Sequence, residues 1–337
     1  MRNTFLLSGF GVLIVLVGFL WWSNSAAPPR AEKKYHIGIL VRGSGYEAAV
    51  EGYRAKMKEL GYEEGKNVVY AVRFVSAKED LAPAVDTFLK EGVDLIHTYS
   101  TPATQAAYEA TKDMQDPTPV VFGSMGDPLL SGVVRDLARP GTNVTGVSSL
   151  STETTAHRLE LLREINPAIR RVAMPYTAAE NKDAAADKSV EIAKDTARKL
   201  GIEMAFFPVR TKEDNAAAAS RILAPDIEGM IVGGDSLVWG SIDVYIAAAI
   251  KEKIPFAAFD VSQVRKGALI GFGPDYAVSG EQSAILTNQI LRGKAPADIP
   301  VQVPHKLLLV VNQKTAAAIG ISLPDAFLKK ADRVIDE

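Results

Sequence analysis

Six short segments of the chain collect hydroxyl, carboxylate and glycine residues between an apolar run and a helix-forming run. They are Arg42–Tyr46, Ser100–Thr104, Gly123–Asp127, Tyr176–Asn181, Gly233–Ser236 and Asp260–Gln263. The chemistry open to such segments is recognition rather than bond breaking. Free backbone N–H groups and the positive end of a helix dipole favour a carboxylate or another anion there. Asp127, Asp235 and Asp260 carry the opposite charge and suit a cationic group such as an α-ammonium. Together they describe a pocket for a zwitterion. The candidate ligand-binding residues are Ser44, Tyr46, Ser100, Thr101, Thr104, Ser124, Asp127, Tyr176, Asn181, Asp235, Ser236 and Asp260. Each also has a plainer reading, because Ser, Thr and Asp at a strand-to-helix junction are commonly N-caps. For any single residue the cap comes first; the set, at matched strand ends, points to a cleft.

Catalytic chemistry finds little support. His36, His97, His157 and His305 are far apart and lack metal-ligand spacing, so structural roles are expected, with His97 packed inside an apolar strand. No Gly-x-Ser-x-Gly elbow and no phosphate loop ending in Gly-Lys-Ser/Thr occurs. Gly43-Ser44-Gly45 lacks the spacing of a dinucleotide loop. The chain has no cysteine, which excludes disulfides, thiolate metal sites and Cys nucleophiles. No catalytic residue, metal or cofactor is expected. A formal net charge of −2 leaves no basic field for a phosphate backbone, so nucleic acid is not an expected partner. Trp239, just after Gly233-Gly234-Asp235-Ser236, reads equally as a packing residue and as a ligand neighbour.

The elements that must position these segments alternate along the chain. From Tyr35 onward short apolar strands alternate with helical stretches, the pattern of βα units building a parallel sheet. Strands are expected at Tyr35–Val41, Val68–Phe74, Val93–Thr98, Val120–Phe122 and Val144–Val147, with helices over Tyr46–Leu60 and from about Asp80, Pro102 and Pro128. After a helix at Glu153–Ile165 the plan restarts at Arg171–Met174. Ile37 and Val172 differ by 135 positions, Leu95 and Met230 by 135, and Pro119 and Pro255 by 136. The first long helix of each half ends in Leu-Gly, at Leu60-Gly61 and Leu200-Gly201. Two similar α/β lobes follow. Ligands of open parallel sheets bind outside the carboxyl ends of the strands, so two facing lobes would line one cleft with the six segments above.

The N-terminus has a separate task. Arg2 gives a positive start, Phe5 to Trp22 is apolar apart from Ser8 and three glycines, and Ser23 to Pro29 is small and turn-prone. Residues 1–30 read as a Sec export signal or an uncleaved membrane anchor. The expected location is the periplasm or another extracytoplasmic space, with membrane contact only through this segment.

Several stretches resemble a known family. Ser100-Thr101-Pro102-Ala103-Thr104-Gln105-Ala106-Ala107, Pro119-Val120-Val121-Phe122, Gly126-Asp127-Pro128 and, most specifically, Leu137-Ala138-Arg139-Pro140-Gly141-Thr142-Asn143-Val144-Thr145-Gly146-Val147 are similar to the ABC-transporter substrate-binding family that includes tryptophan- and tyrosine-type binding proteins. The likeness extends from about Tyr35 through Leu323-Pro324-Asp325 to Ala331-Asp332-Arg333-Val334-Ile335. The resemblance implies a type I periplasmic-binding fold: two Rossmann-like α/β lobes with parallel sheets, joined by a three-segment hinge. It places 35–149 and 271–297 in the first lobe and 150–270 and 298–337 in the second, with Thr101, Asp127, Tyr176, Asp235 and Asp260 at ligand-loop positions. It also implies a non-enzymatic monomer that traps a small molecule by hinge closure and delivers it to an ABC permease and its ATPase; an amino acid comes first as ligand, with aromatic amino acids, other amino acids and small non-amino-acid organic molecules all open. The alternative from another class is a membrane-tethered sensor lobe that presents its ligand to a signalling partner.

Overall fold

The structure, a computed structural model, describes residues 33–43, 45–178 and 184–336. The N-terminal segment, Ser44 and Asn181 lie outside the described residues.

Two sheets form, parallel as the alternating pattern predicts except that β10 and β11 of the second run antiparallel. The first contains β1 (Tyr35–Arg42), β2 (Val68–Val75), β3 (Leu95–Tyr99), β4 (Val120–Met125) and β5 (Val144–Ser148), in the order β2-β1-β3-β4-β5. The second contains β6 (Arg171–Thr177), β7 (Glu203–Val209), β8 (Gly229–Ile231), β9 (Phe256–Ala258), β10 (Ile270–Pro274), β11 (Leu307–Asn312) and β12 (Arg333–Ile335), in the order β12-β11-β10-β9-β8-β6-β7. Reading β6 to β10 against β1 to β5 gives the same strand order twice. The offset of 135 to 136 residues is thus a structural repeat: Ile37 pairs with Leu95 in one sheet and Ala173 with Met230 in the other. Strands β3, β4 and β5 are buried at every position, as expected where helices cover both faces of a parallel sheet.

The covering helices are α1 (Glu47–Glu59), α2 (Leu81–Lys90), α3 (Thr101–Thr111), α4 (Thr155–Ile165), α5 (Ala184–Leu200), α6 (Lys212–Ser220), α7 (Ser236–Trp239), α8 (Ile242–Lys251), α9 (Val261–Arg265), α10 (Tyr276–Leu291), α11 (Gln313–Ile319) and α12 (Asp325–Leu328). The helix expected from Pro128 does not form. Asp127 caps a single turn, with Ser131 N–H donating to the Asp127 carbonyl, and Gly132 at φ +72° ends it at once.

The chain passes between the lobes three times. It leaves the first sheet after β5 through residues 149–154, where Leu150 holds a positive φ of 53°. It returns after β10, and α10 packs on α1. It crosses again after Gln302, which bridges to Val147 on β5, and enters β11. Residues 271–274, expected in the first lobe, instead pair within the second sheet. Residues 299–302, expected in the second, lie along β5, with Thr145 Oγ1 donating to the Ile299 carbonyl at 2.7 Å. Gly271 and Gly273 permit the first of these: a Cβ on Gly273 would sit 2.1 Å from the Phe259 carbonyl.

One packing detail sets up the site. A Cβ on Gly52 of α1 would meet the Ala277 carbonyl at 2.3 Å, and one on Gly280 of α10 would meet the Ala49 carbonyl at 2.0 Å. The two helices therefore touch backbone to backbone. Tyr46, capping α1, and Tyr276, opening α10, are held together as a result, with ring centroids 5.2 Å apart.

Candidate ligand-binding site

The first lobe supplies an aromatic wall and a row of hydroxyls. Gly45, at φ +96°, turns the chain after β1 and brings Tyr46 into the cleft; a Cβ there would press on Ser262 Oγ and the Trp239 ring. Tyr46 is buried against Tyr99 at 5.6 Å and Trp239 at 4.6 Å, and the buried Tyr276 hydroxyl has no hydrogen-bond partner. Burial pushes the Tyr46 hydroxyl far above the usual phenol range, so it stays a neutral donor and acceptor. Thr101, at the start of α3, accepts the Gly126 N–H at 3.2 Å and faces the cavity. Ser149 and Ser151 join it there, their hydroxyls 3.1 Å apart.

The second lobe supplies two aspartates that occupy equivalent local positions and differ in what they hold. Asp235 caps α7. Its carboxylate accepts from Leu237 N–H at 3.1 Å, Val238 N–H at 3.0 Å, Thr177 Oγ1 at 2.7 Å and the Thr177 N–H. Both oxygens are committed, and the residue ties the end of β6 to α7. Asp260 caps α9, and its Oδ1 accepts from Ser262 N–H and Oγ, each at 2.6 Å, and from Gln263 N–H at 3.1 Å. Its Oδ2 is buried and has no partner. Gln263 is placed similarly: its Oε1 accepts the Phe259 N–H at 2.8 Å, while its buried Nε2 donates to nothing. Burial raises the pKa of both aspartates, and the hydrogen bonds of each act in the opposite direction.

Between these walls lies a narrow cavity of about 20 Å3, room for little more than a water molecule, lined among others by Tyr46, Thr101, Ser151, Trp239, Phe259 and Gln263. Gly126, Gly233 and Gly234 keep its floor low. Four rings, Tyr46 and Tyr276 from the first lobe and Trp239 and Phe259 from the second, meet across the cleft, with Trp239 stacked on Tyr276 at 5.6 Å and 19°. Apolar packing is continuous through them from Ile37 and Tyr53 to Phe256. A wider outer cleft, bordered by Arg42, Lys78, Arg210 and Lys212, shares Thr101 with the inner cavity. Such a site offers apolar rings and a few buried polar groups to a ligand, and the rings, now in contact with one another, must part to admit one.

The structure therefore sorts the sequence candidates. Tyr46, Thr101, Asp235 and Ser236 line the cavity, and Ser124 stands behind Tyr46. Asp260 sits between two lining residues, Phe259 and Gln263. Ser100, at φ +94°, is the cap of α3 and accepts the Ala103 N–H. Thr104 is turned inward, sharing a hydrogen bond with Thr98 and donating to the Ser100 carbonyl. Asp127 is half-buried and accepts the Leu130 N–H at 3.0 Å as a turn cap. Tyr176 packs edge-on against Phe206 of β7, 5.9 Å away. The last three lie outside the inner cavity. Ser149, Ser151, Phe259 and Tyr276 fall outside the six segments; Gln263 closes the sixth without being singled out, and Trp239, which reads in the sequence equally as packing residue and ligand neighbour, lines the cavity. Ser149 and Tyr276 follow the carboxyl ends of β5 and β10, the same signal that selected the other loops. Among the described residues no group of His, Asp or Glu is arranged to hold a metal, and His97, bonded to Ser283 Oγ at 2.9 Å, is packed between Tyr53 and Tyr99 in the first lobe.

This geometry has relatives. A tyrosine-binding protein of Clostridioides difficile (strain R20291) is 30% identical over 305 residues, covering 89% of this chain and 85% of that protein. The crystal structure of an ABC domain from Streptococcus pneumonia in complex with L-Trp is 26% identical, covers 90% of this chain and 100% of its own, and superimposes with a TM-score of 0.82. The ligand-free, open structure of a substrate-binding protein with adhesive properties from Clostridium difficile is also 26% identical, with coverage of 90% and 100% and a TM-score of 0.65. The profile of the ABC transporter substrate binding proteins matches residues 34–335, nearly all of the chain outside its N-terminal segment, and the chain belongs to that family.

Proposed function

We propose that this protein is the ligand-binding component of an ABC importer for an aromatic amino acid. The carrying observation is that Asp260 Oδ2 and Gln263 Nε2, on one short helical turn, are both buried without a hydrogen-bond partner, and that Gln263 lines the cavity with Tyr46, Trp239 and Phe259. A buried carboxylate oxygen without a hydrogen-bond partner is costly even with the Arg158 cation in electrostatic reach beyond ion-pair distance, and a ligand ammonium removes that cost. Gln263 Nε2 and the hydroxyls of Thr101, Ser149 and Ser151 supply donors for the α-carboxylate, and the rings take the aromatic side chain. Tyrosine and tryptophan, the ligands named for two relatives, both fit this division of labour.

Closure follows from which lobe owns which group. A ligand held by Tyr46 and Thr101 on one side and Trp239 and Asp260 on the other touches all of them only when the lobes are together. Its differential affinity then favours the closed state. The direct Tyr46–Trp239 contact describes a closed arrangement. The TM-scores agree: at equal identity and coverage, the chain follows the L-Trp complex better than the ligand-free open structure. The closed protein, directed outside the cytoplasm by residues 1–30, then docks on a permease whose ATPase works on the opposite face of the membrane.

A thermal-shift screen against amino acids, purines, sugars and small organic acids tests the reading. A ligand at 100 times its Kd adds about 2.7 kcal/mol of stability. L-tryptophan or L-tyrosine is expected to give the largest shift. A selective shift with a sugar or purine and none with any amino acid would discard the zwitterion pocket.

A further inference from the structure

Arg158, on α4, is fully buried, yet among the described residues no carboxylate lies within ion-pair distance of it. Burial pushes its pKa down, to about 9, so it remains a cation at neutral pH. Its neighbours on the same helix, Leu159 and Leu162, fill the core with apolar groups. A buried guanidinium kept in such company is explained by what it holds.

Its partners lie on the first crossing, at the start of α4 and on β10, the strand that runs into the second crossing. Nη2 donates to the Ser151 carbonyl at 2.8 Å and to Thr155 Oγ1 at 3.0 Å. Nη1 donates to Thr154 Oγ1 at 2.9 Å and to the Phe272 carbonyl at 3.3 Å. Thr154 Oγ1 passes the link on, donating to the carbonyl of Leu150, the residue of the first crossing with positive φ. Phe272 lies on β10, just before the second crossing at Asp275. The guanidinium also stands 5.3 Å over the ring of Phe259, a wall of the ligand cavity, and Ser151 is another wall. The planar fork of arginine suits this task because it addresses two carbonyls and a ring at once.

We propose that Arg158 is a hinge-positioning residue that fastens the first and second crossings to the Phe259 wall of the cavity, so that lobe angle and cavity shape change together. The two-lobe closure proposed above is its premise; the identity of the ligand is not. An ammonium at this position reaches one carbonyl at a time, so Arg158→Lys keeps the charge and loses the double tie.

Distance measurements between the lobes test this directly. The chain has no cysteine, so Asp86→Cys on α2 and Lys199→Cys on α5, both exposed, take a spin-label pair cleanly. In the ligand-free protein, Arg158→Lys is expected to broaden or shift the inter-lobe distance distribution while the far-ultraviolet spectrum stays unchanged. Arg163→Lys, on the same helix but bonded to the Ile169 carbonyl, is expected to leave the distribution as it was. With L-tryptophan as probe, the Arg158→Lys protein should lose about 10-fold in affinity. If Arg158→Lys does not fold, Thr154→Val with Thr155→Val removes the hydroxyls that orient the guanidinium and decides the same question. A folded variant with a wild-type distribution overturns the proposal. Because that reading needs no ligand, failure of the amino-acid assignment appears separately, as a wild-type protein that does not bind L-tryptophan.

Discussion

The loops that carry Asp235 and Asp260 are two solutions to one local problem. Each follows a short strand of the second sheet, each starts a short helix, and each aspartate accepts N–H groups two and three residues ahead. They differ in the far oxygen. Asp235 spends it on Thr177, which joins two strand ends; Asp260 leaves it bare beside a cavity. An N-cap needs only one carboxylate oxygen, and whether the second completes the fold or waits for a ligand depends on what the neighbouring strand brings up to it.

Breaking the Asp235 side should produce the largest change. Asp235→Ala leaves four buried donors without their acceptor and is expected to cost about 3 kcal/mol of folding stability, measured by chemical denaturation. Asp260→Asn should instead spare stability and weaken ligand binding by about 2 kcal/mol, roughly 30-fold, in a titration calorimeter. If the two variants exchange these phenotypes, the assignment of cap and receptor is reversed. Gln263→Leu sharpens the same contrast. It removes an unpartnered donor and also the acceptor of the buried Phe259 N–H, so it should cost about 1 kcal/mol of affinity together with about 1–3 kcal/mol of folding stability.

The smallest effect is that of pH. Asp260 has its folded pKa raised above the unfolded value by burial, so its contribution to stability is fully present below the ordinary carboxylate pKa and is lost as pH rises through the raised value. Ligand binding runs the other way, because an ammonium needs the ionised form. Affinity should therefore fall on acidification through that window in the wild type and stay flat in Asp260→Asn. A wild-type affinity independent of pH would leave Asp260 without a role in charge recognition.

Much of the architecture is legible in the sequence because parallel strands buried on both faces read as short apolar runs. Val120–Phe122 and Val144–Val147 are of this kind, and the repeat at 135 to 136 positions reports a duplicated strand order. The helix expected at Pro128 fails because its apolar pair, Leu129-Leu130, is followed at once by Ser131-Gly132; both leucines are exposed. The site is less legible. Strand-end position finds Tyr46, Thr101 and Ser236, and it also collects Thr104, Asp127 and Tyr176, whose side chains serve local caps and sheet packing. Strand position cannot say which way a side chain turns. Tyr276 reaches the cleft only because Gly52 and Gly280 let two helices 228 positions apart touch, a contact between residues that no local pattern connects.

The central claim is that Asp260 receives the ammonium of an aromatic amino acid. The most direct test is to compare, by calorimetry, the affinities of L-tryptophan and L-tyrosine with those of their analogues lacking the α-amino group, in the wild type and in Asp260→Asn. The expected result is a loss of about 30-fold on removing the amino group from the ligand, and little further loss when Asp260→Asn meets the same analogue. Equal affinity of the wild type for an amino acid and its deaminated analogue would contradict the claim.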